Sequence, residues 1–129
     1  MGQMKPLSKG ATILVVEDEA LISEMIADAL DEQGFDVLVV SNAADALRHL
    51  ESGVRVDALF TDIHLPGDMD GSELANRVRA LRPEMPIVYA SGRWRPNEQN
   101  PLVPRSVFLQ KPYDPYDAGN LLTRLMSAN

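Results

Sequence analysis

The sequence predicts a single α/β domain built on a doubly wound, five-stranded parallel sheet. Five short apolar runs alternate along the chain with segments in which apolar residues recur at helical spacing. The runs are continuous, which is typical of strands buried on both faces of a parallel sheet. With right-handed crossovers, the strand order 2-1-3-4-5 is the common one. A chain of 129 residues is long enough for one ordinary domain and too short for two.

Each of the first three strands is followed by a segment with the pattern of an amphipathic helix. Glycine or proline stands where each helix is expected to end. The third strand changes abruptly from apolar residues to the polar pair Thr61 and Asp62. In chain order the predicted elements are strand 12–16, a helix over 21–30 ending at Gly34, strand 36–40, a helix over 43–50 ending at Gly53, strand 58–60, and a helix over 74–81 with Leu81 facing inward.

The second half of the chain departs from this alternation. Strand 86–90 leads to Ser91, strand 106–109 leads to Lys111, and a last helix begins near Pro115. Between these strands, residues 93–105 contain three prolines and no apolar stripe. Because proline interrupts a helix, the fourth helix is predicted to be short or missing and replaced by a loop of elevated mobility.

Composition excludes several classes of protein. A net charge of −7 and a pI near 4.7 argue against direct nucleic-acid binding, which usually requires a basic surface. The absence of cysteine excludes disulfides, thiolate metal sites and cysteine nucleophiles. No apolar run has the length of a membrane span, and the first residues lack the apolar core of a signal peptide. We therefore expect a cytoplasmic protein with a flexible tail, residues 1–10, and one domain, residues 11–129.

Reactive side chains stand at the carboxyl ends of four predicted strands. Glu17 and Asp18 follow the first strand, Asp62 the third, Ser91 the fourth and Lys111 the fifth. In a sheet of this type these ends meet at the edge where ligands bind. Three carboxylates there would repel one another unless a cation compensates. Oxygen ligands without histidine or cysteine select a hard ion such as Mg²⁺.

Asp62 stands at the centre of this arrangement. A carboxylate at the end of a buried strand is costly to hold unless it is paired. Lys111 and the hydroxyl of Ser91 suit the oxygens of a phosphoryl group. Asp62 is then placed to act as a nucleophile that forms an acyl phosphate. Taken singly, each residue has an ordinary explanation as a turn, a cap or a surface charge. Their joint occurrence at four strand ends favours a site.

These residues resemble the motifs of the receiver domains of two-component response regulators. The resemblance covers roughly residues 11–127 and rests on segments 15–19, 61–67, 70–71, 90–92 and 111–112. It implies a flavodoxin-like receiver fold and a cis peptide bond before Pro112. It also implies roles for single residues: Asp62 as phosphoacceptor and metal ligand, Asp18 as a direct Mg²⁺ ligand, Glu17 as a ligand through water, the His64 backbone carbonyl as a further ligand, Ser91 as switch hydroxyl, Lys111 as phosphate-binding lysine and Phe108 as aromatic switch.

Three features depart from the usual pattern of that family. The loop from Asp62 to Gly71 is one residue longer, Gly92 replaces the commoner alanine, and the degraded fourth helix is similar to a subfamily with an irregular segment there. Output is therefore expected to leave through residues 93–105. Within that segment, Trp94 is interpreted as a packing anchor or a partner contact. For Phe108, a plain core aromatic is the alternative to a switch.

The expected function is that of a stand-alone receiver rather than an enzyme, although such a domain can catalyse its own phosphorylation and dephosphorylation. It would take its phosphoryl group from a histidine kinase or phosphotransfer protein and signal to a downstream protein by contact. One alternative is a small Mg²⁺-dependent phosphatase with an aspartyl nucleophile, but His64 stands where such hydrolases usually carry a second acid. A flavin-binding protein is disfavoured, because acidic residues 17–19 repel phosphate.

Overall fold

The computed structural model describes residues 10–127 and confirms the predicted architecture. One parallel sheet has the strand order β2-β1-β3-β4-β5 and carries helices on both faces. Residues 1–9 of the predicted tail lie outside the described residues. The elements are β1 (Thr12–Val16), α1 (Ala20–Glu32), β2 (Asp36–Val40), α2 (Ala43–Glu51), β3 (Ala58–Asp62), α3 (Gly71–Leu81), β4 (Ile87–Ser91), β5 (Ser106–Gln110) and α4 (Pro115–Ser127).

The register of the sheet brings the carboxyl ends of the strands together. Val16, the last residue of β1, is paired with Thr61 of β3, and Asp62 is paired with Ala90 of β4. Ser91 is in turn paired with Gln110 of β5. The residues that follow β1 and β5 therefore lie at the same edge as the ends of β3 and β4.

Apolar side chains fill both faces of the sheet. Along β1, Leu14 and Val16 join one core cluster, whereas Ile13 and Val15 join the other. The first cluster includes residues of α2 and α3, and the second includes residues of α1 and α4. Strands β3 and β4 are buried along their whole length, as the continuous apolar runs predict.

The edge strands are less buried than the sequence predicts. On β2, Val39 is 45% exposed, and the residues of β5 are half-buried or exposed. An edge strand has a neighbour on one side only, so its side chains are covered less completely. The prediction that Leu81 faces inward is wrong, because it is 44% exposed. Leu81 ends α3 and borders the groove between α2 and α3 rather than the sheet.

No helix forms between β4 and β5 in residues 92–105, which are all described, so the prediction of a missing fourth helix is confirmed. Trp94, Leu102 and Val103 from this irregular segment pack against the core on the α2 and α3 face. Three side chains thus supply apolar cover that a helix would otherwise give. The predicted mobility of the segment stays a prediction. Among the described helices, none is long and apolar enough to cross a membrane.

Candidate functional site

The loop after β3 closes tightly against the backbone of Asp62. The amide of Gly71 donates a hydrogen bond to the carbonyl oxygen of Ile63 at 2.8 Å. A Cβ atom at Gly71 would lie 2.0 Å from the carbonyl oxygen of Asp62. Only glycine allows this approach of two backbone segments. The neighbouring Asp70 caps α3, its side chain accepting a hydrogen bond from the amide of Glu73. The Asp70–Gly71 pair therefore fixes the end of β3 against the start of α3.

Three carboxylates meet at the edge of the sheet, as the sequence predicts. One oxygen from each of Glu17, Asp18 and Asp62 lies within 4.8 Å of the other two. Glu17 is 3% exposed and Asp62 is 5% exposed, whereas Asp18 is exposed to solvent. Two acids therefore line the floor of the site, and the third stands at its mouth.

Burial changes the acidity of Glu17. Removal from water raises the pKa of Glu17 from its ordinary value of 4.5 to about 7. The amide of Glu19 donates a hydrogen bond to Glu17 Oε2 at 3.1 Å and acts in the opposite direction. The nearby Asp62 carboxylate raises the pKa further, and Lys111 lowers it. The Glu17 carboxyl therefore holds its proton more strongly than an exposed glutamate does, chiefly because it is buried.

Lys111 supplies one positive charge to this cluster. Its Nζ atom lies 3.3 Å from Asp62 Oδ2. The peptide bond between Lys111 and Pro112 is cis, as the family resemblance implies. The other oxygen, Asp62 Oδ1, is buried and has no hydrogen-bond partner among the described residues. A buried carboxylate oxygen without a donor is unfavourable, so this atom is the natural place for a further electrophile or cation.

Ser91 is at the predicted edge, but its hydroxyl faces the chain that follows it. The oxygen accepts hydrogen bonds from the amides of Arg93 at 3.2 Å and Trp94 at 2.9 Å. Ser91 is completely buried. Its side chain therefore holds the start of the irregular segment 92–105 rather than a carboxylate of the site.

For two further residues, Phe108 and His64, the predicted roles stay predictions. Phe108 on β5 is half-buried and packs at 5.7 Å, centroid to centroid, against the ring of Trp94. This contact is compatible with either a core aromatic or a switch. His64 is exposed in the loop after β3. The proposed role of its backbone carbonyl stays a prediction.

Tyr113 is a neighbour of the site that the sequence reasoning missed. Its ring packs edge-on against Phe60 of β3 with a centroid distance of 6.0 Å. Burial first, and then the charges of Glu17 and Asp62, raise the pKa of its phenol, so the group stays neutral. The only signal in the sequence was its position two residues after Lys111.

The donor set fits a hard divalent cation. All three candidate ligands offer carboxylate oxygen, and the unpartnered Asp62 Oδ1 belongs to the same cluster. Mg²⁺ is usually held in proteins by one or two carboxylates with water completing its coordination. The exposed Asp18 leaves the site open to water on one side.

A family model described as "Response regulator receiver domain" matches residues 13–120, which is most of the chain. The chain belongs to this receiver-domain family. The match contains all four strand ends at which the carboxylates, Ser91 and Lys111 stand. The flavodoxin-like receiver fold expected from the sequence is therefore confirmed.

Relatives of this receiver domain include solved structures and longer regulators. A response regulator receiver protein from Sinorhizobium medicae WSM419 has a TM-score of 0.86 and 34% identity, with 92% of this chain and 96% of that one covered. The receiver domain of the sensor histidine kinase PA1611 from Pseudomonas aeruginosa PAO1, solved with a magnesium ion in its active-site cleft, has a TM-score of 0.77 and 25% identity, covering 92% and 99%.

Among curated proteins, the DNA-binding transcriptional regulator NtrC of Azospirillum brasilense is 30% identical over 127 residues, which is 92% of this chain and 25% of that protein. NtrC of Rhizobium meliloti is 37% identical over 84 residues, 65% of this chain and 17% of that protein. The receiver domain thus spans a quarter or less of these two relatives.

Proposed function

We propose that this receiver domain accepts a phosphoryl group on Asp62 in a Mg²⁺-dependent reaction and passes its state to another protein by contact. The observation that carries the proposal is the asymmetry of the Asp62 carboxylate. Oδ2 is paired with Lys111, whereas Oδ1 is buried and without a partner in the described part of the chain. A structural carboxylate would have both oxygens satisfied.

The chain's own residues account for the transfer. Asp62 Oδ1 forms a bond to phosphorus while the bond from phosphorus to the donor's nitrogen or oxygen breaks, and the departing group keeps that electron pair. The product is an acyl phosphate on Asp62. Lys111 stays beside the site and offsets negative charge on the phosphoryl oxygens. The domain would catalyse only its own phosphorylation and dephosphorylation. We therefore propose a phosphoacceptor rather than an enzyme that turns over a separate substrate.

A cation is required because the site has three carboxylates and one lysine. Glu17, Asp18 and Asp62 would hold Mg²⁺, and the magnesium ion in the related PA1611 receiver supports this choice of metal. When bound, Mg²⁺ supplies neutralisation of charge on the transferring phosphoryl group. Without the metal, a phosphoryl donor would bring further negative charge next to three carboxylates that already repel one another.

A protein donor is favoured by an apolar groove that reaches the site. The groove has a volume of about 360 Å³ and runs between α1 and the chain after β5. Met25 in its wall is 57% exposed, and the adjoining Leu21 on α1 is 76% exposed. The lining residues are Ile22, Met25, Ile26, Lys111, Pro112, Tyr113 and Pro115. Because Lys111 belongs both to the groove and to the Asp62 pair, a partner seated in the groove reaches the phosphoacceptor.

The kind of partner follows from the family. Receiver domains work with histidine kinases, and two relatives of this chain belong to sensor kinases. We propose that a histidine kinase or phosphotransfer protein places an apolar surface on this groove. Replacing Met25 by glutamate should slow transfer from a protein donor at least tenfold and leave acetyl phosphate as effective as before. Leu81→Glu, on the opposite face, is the matched control. Equal loss with both donors would contradict the docking role.

The function itself is tested by intact-protein mass spectrometry with acetyl phosphate. We expect a mass increase of one phosphoryl group that requires Mg²⁺ and is abolished in Asp62→Asn. No increase in the wild-type chain would refute the proposal. Sustained release of phosphate from a phosphomonoester would favour the phosphatase alternative. That alternative is disfavoured because His64 stands where such hydrolases usually carry a second acid.

A further inference from the structure

Two aromatic rings form a platform on the sheet where the fourth helix is missing. Tyr89 on β4 and Phe108 on β5 are register partners, so their side chains lie next to each other on one face. Trp94 covers this Tyr89–Phe108 platform. Its ring is stacked on Tyr89 at 6.0 Å with an angle of 13° between the planes, and it is tilted against Phe108 at 5.7 Å.

Different contacts hold the two ends of the irregular segment. The first end depends on Ser91, whose hydroxyl accepts from the amides of Arg93 and Trp94. The far end depends on Tyr89, whose hydroxyl accepts from the amide of Val103 at 3.0 Å, and on Arg79 of α3, which donates to the carbonyl of Pro104. Of these named contacts, those of the first end involve a residue at the edge of the Asp62 site, and those of the far end do not.

The geometry points to Trp94 as a displaceable plug on the Tyr89–Phe108 platform, which an aromatic residue of an acidic partner segment replaces when Asp62 is phosphorylated. This inference rests on the proposed function. Ser91 is one residue past Ala90, the register partner of Asp62, so its side chain leaves the strand on the face opposite to that of Asp62. To donate to a phosphoryl oxygen on Asp62, the Ser91 side chain rotates towards that residue, and the rotation carries its oxygen away from the two amides that it now holds. Trp94 then loses its backbone anchor, while the far end stays in place.

The chemistry of the partner follows from the resident side chain and the local charge. The platform already accommodates an aromatic ring, and Trp94 is only half-buried on it, so that ring can be exchanged. Segment 92–105 contains three arginines and one glutamate, although the whole chain has a net charge of −7. Arg93 and Arg95 next to Trp94 are exposed. This basic border favours a partner segment with acidic residues around its aromatic side chain.

Trp94 is the only tryptophan of the chain and therefore reports on its own environment. Beryllofluoride with Mg²⁺, used as a stable mimic of the phosphoryl group, should shift its emission to longer wavelength and increase its quenching by acrylamide. Asp62→Asn should show neither change. If acetyl phosphate adds a phosphoryl group by mass while the emission and quenching of Trp94 stay the same, the plug is refuted and the proposed function stands. If neither the mass nor the emission of Trp94 changes, both the plug and the proposed function are overturned.

The partner chemistry is tested with two synthetic peptides and titration calorimetry. One carries a single tryptophan flanked by glutamates, and the other has lysines in place of the glutamates. The acidic peptide should bind Trp94→Ala, which lacks the plug, about tenfold more tightly than the resting wild type, and it should bind the beryllofluoride-loaded wild type with a similar gain. In the resting state Trp94 must first leave the platform, and this lowers the apparent affinity. Equal affinity of the acidic peptide for the resting wild type and for Trp94→Ala, or tighter binding of the basic peptide, would overturn the assignment.

Discussion

Lys111 Nζ lies 3.3 Å from Asp62 Oδ2, and the second oxygen of the same carboxylate, Oδ1, finds no hydrogen-bond partner within residues 10–127. One oxygen is neutralised and the other is left to react. The lysine also offsets the repulsion between Asp62 and the buried Glu17. Lys111 and a metal ion therefore neutralise the same negative charge, and the presence of either one weakens the attraction of the site for the other.

Replacing Lys111 by methionine should separate these two effects. Mg²⁺ should bind about tenfold more tightly, a gain on the order of 1 kcal/mol, because a competing positive charge is removed. Phosphorylation by acetyl phosphate should slow at least tenfold, because the transferring group loses its cation. Titration calorimetry and mass spectrometry measure the two quantities. Arg55→Met is the control, since its ion pair with Asp57 is largely exposed and distant in the fold from the carboxylate cluster. Weaker Mg²⁺ binding in Lys111→Met would contradict the competition.

Glu17 should make the metal-free domain less stable as the pH rises. Its pKa is raised by burial from 4.5 to about 7, so between these values the native state holds a proton that the unfolded chain releases. The free energy of unfolding should therefore fall across this window, and the loss should be complete above pH 7. At pH 8 without metal, Glu17→Gln should be more stable than the wild type by on the order of 1 to 3 kcal/mol.

Urea denaturation at pH 4 and pH 8 tests this difference. The advantage of Glu17→Gln should vanish at pH 4, and Mg²⁺ should stabilise the wild type more than the variant. Glu24→Gln on the exposed face of α1 is the control and should show neither effect. An advantage of the same size at both pH values would indicate a cause other than the titration of Glu17.

Much of this arrangement follows from the sequence because strand ends are marked by abrupt changes of polarity. Asp62 after a continuous apolar run, and Lys111 before a proline, are local signals, and the parallel topology converts them into neighbours. The difference in burial between Glu17 and Asp18 could not be predicted in the same way. They are adjacent in sequence, and only the packing around β1 decides that one is buried and the other exposed.

The orientation of Ser91 was also beyond the sequence. Its position at the edge is set by the register of β4, but its hydroxyl turns to the amides of Arg93 and Trp94 because the irregular segment supplies donors there. The exposure of Leu81 was missed for a related reason. Helical periodicity predicts the side of a helix that is apolar, not whether the sheet extends far enough to cover its last turn.

Gly71→Ala should damage both stability and phosphorylation. The new Cβ would lie 2.0 Å from the carbonyl oxygen of Asp62, and backbone atoms on both sides cannot move aside without shifting the phosphoacceptor. We expect a loss of about 3 kcal/mol or more in the free energy of unfolding. Gly92→Ala is the matched control next to Ser91, because its Cβ would meet only the Cβ of Lys111 at 3.7 Å. Thermal and urea unfolding compare the two. A stable, phosphorylatable Gly71→Ala domain would show that the loop is not as tightly packed as described.

Tyr89→Phe should loosen the far end of segment 92–105 and keep the aromatic stack. The hydroxyl accepts the amide of Val103, and its loss leaves that amide without its acceptor, at a cost of about 1 to 3 kcal/mol. Hydrogen exchange of the Val103 amide should accelerate accordingly. Tyr116→Phe, which removes an exposed hydroxyl from Glu32, should change little. Unchanged exchange at Val103 in Tyr89→Phe would exclude this hydrogen bond as an anchor.

Asp62 is the proposed phosphoacceptor, and chemical trapping identifies the modified residue itself. Borohydride reduces an aspartyl phosphate to homoserine, so peptide mass spectrometry after treatment with acetyl phosphate, Mg²⁺ and borohydride identifies the modified residue. We expect homoserine at position 62 in the wild-type chain, and at neither Asp18 nor Asp68, with no product when Mg²⁺ is withheld. Homoserine at another aspartate, or equal labelling of the Asp62→Asn variant, would contradict it.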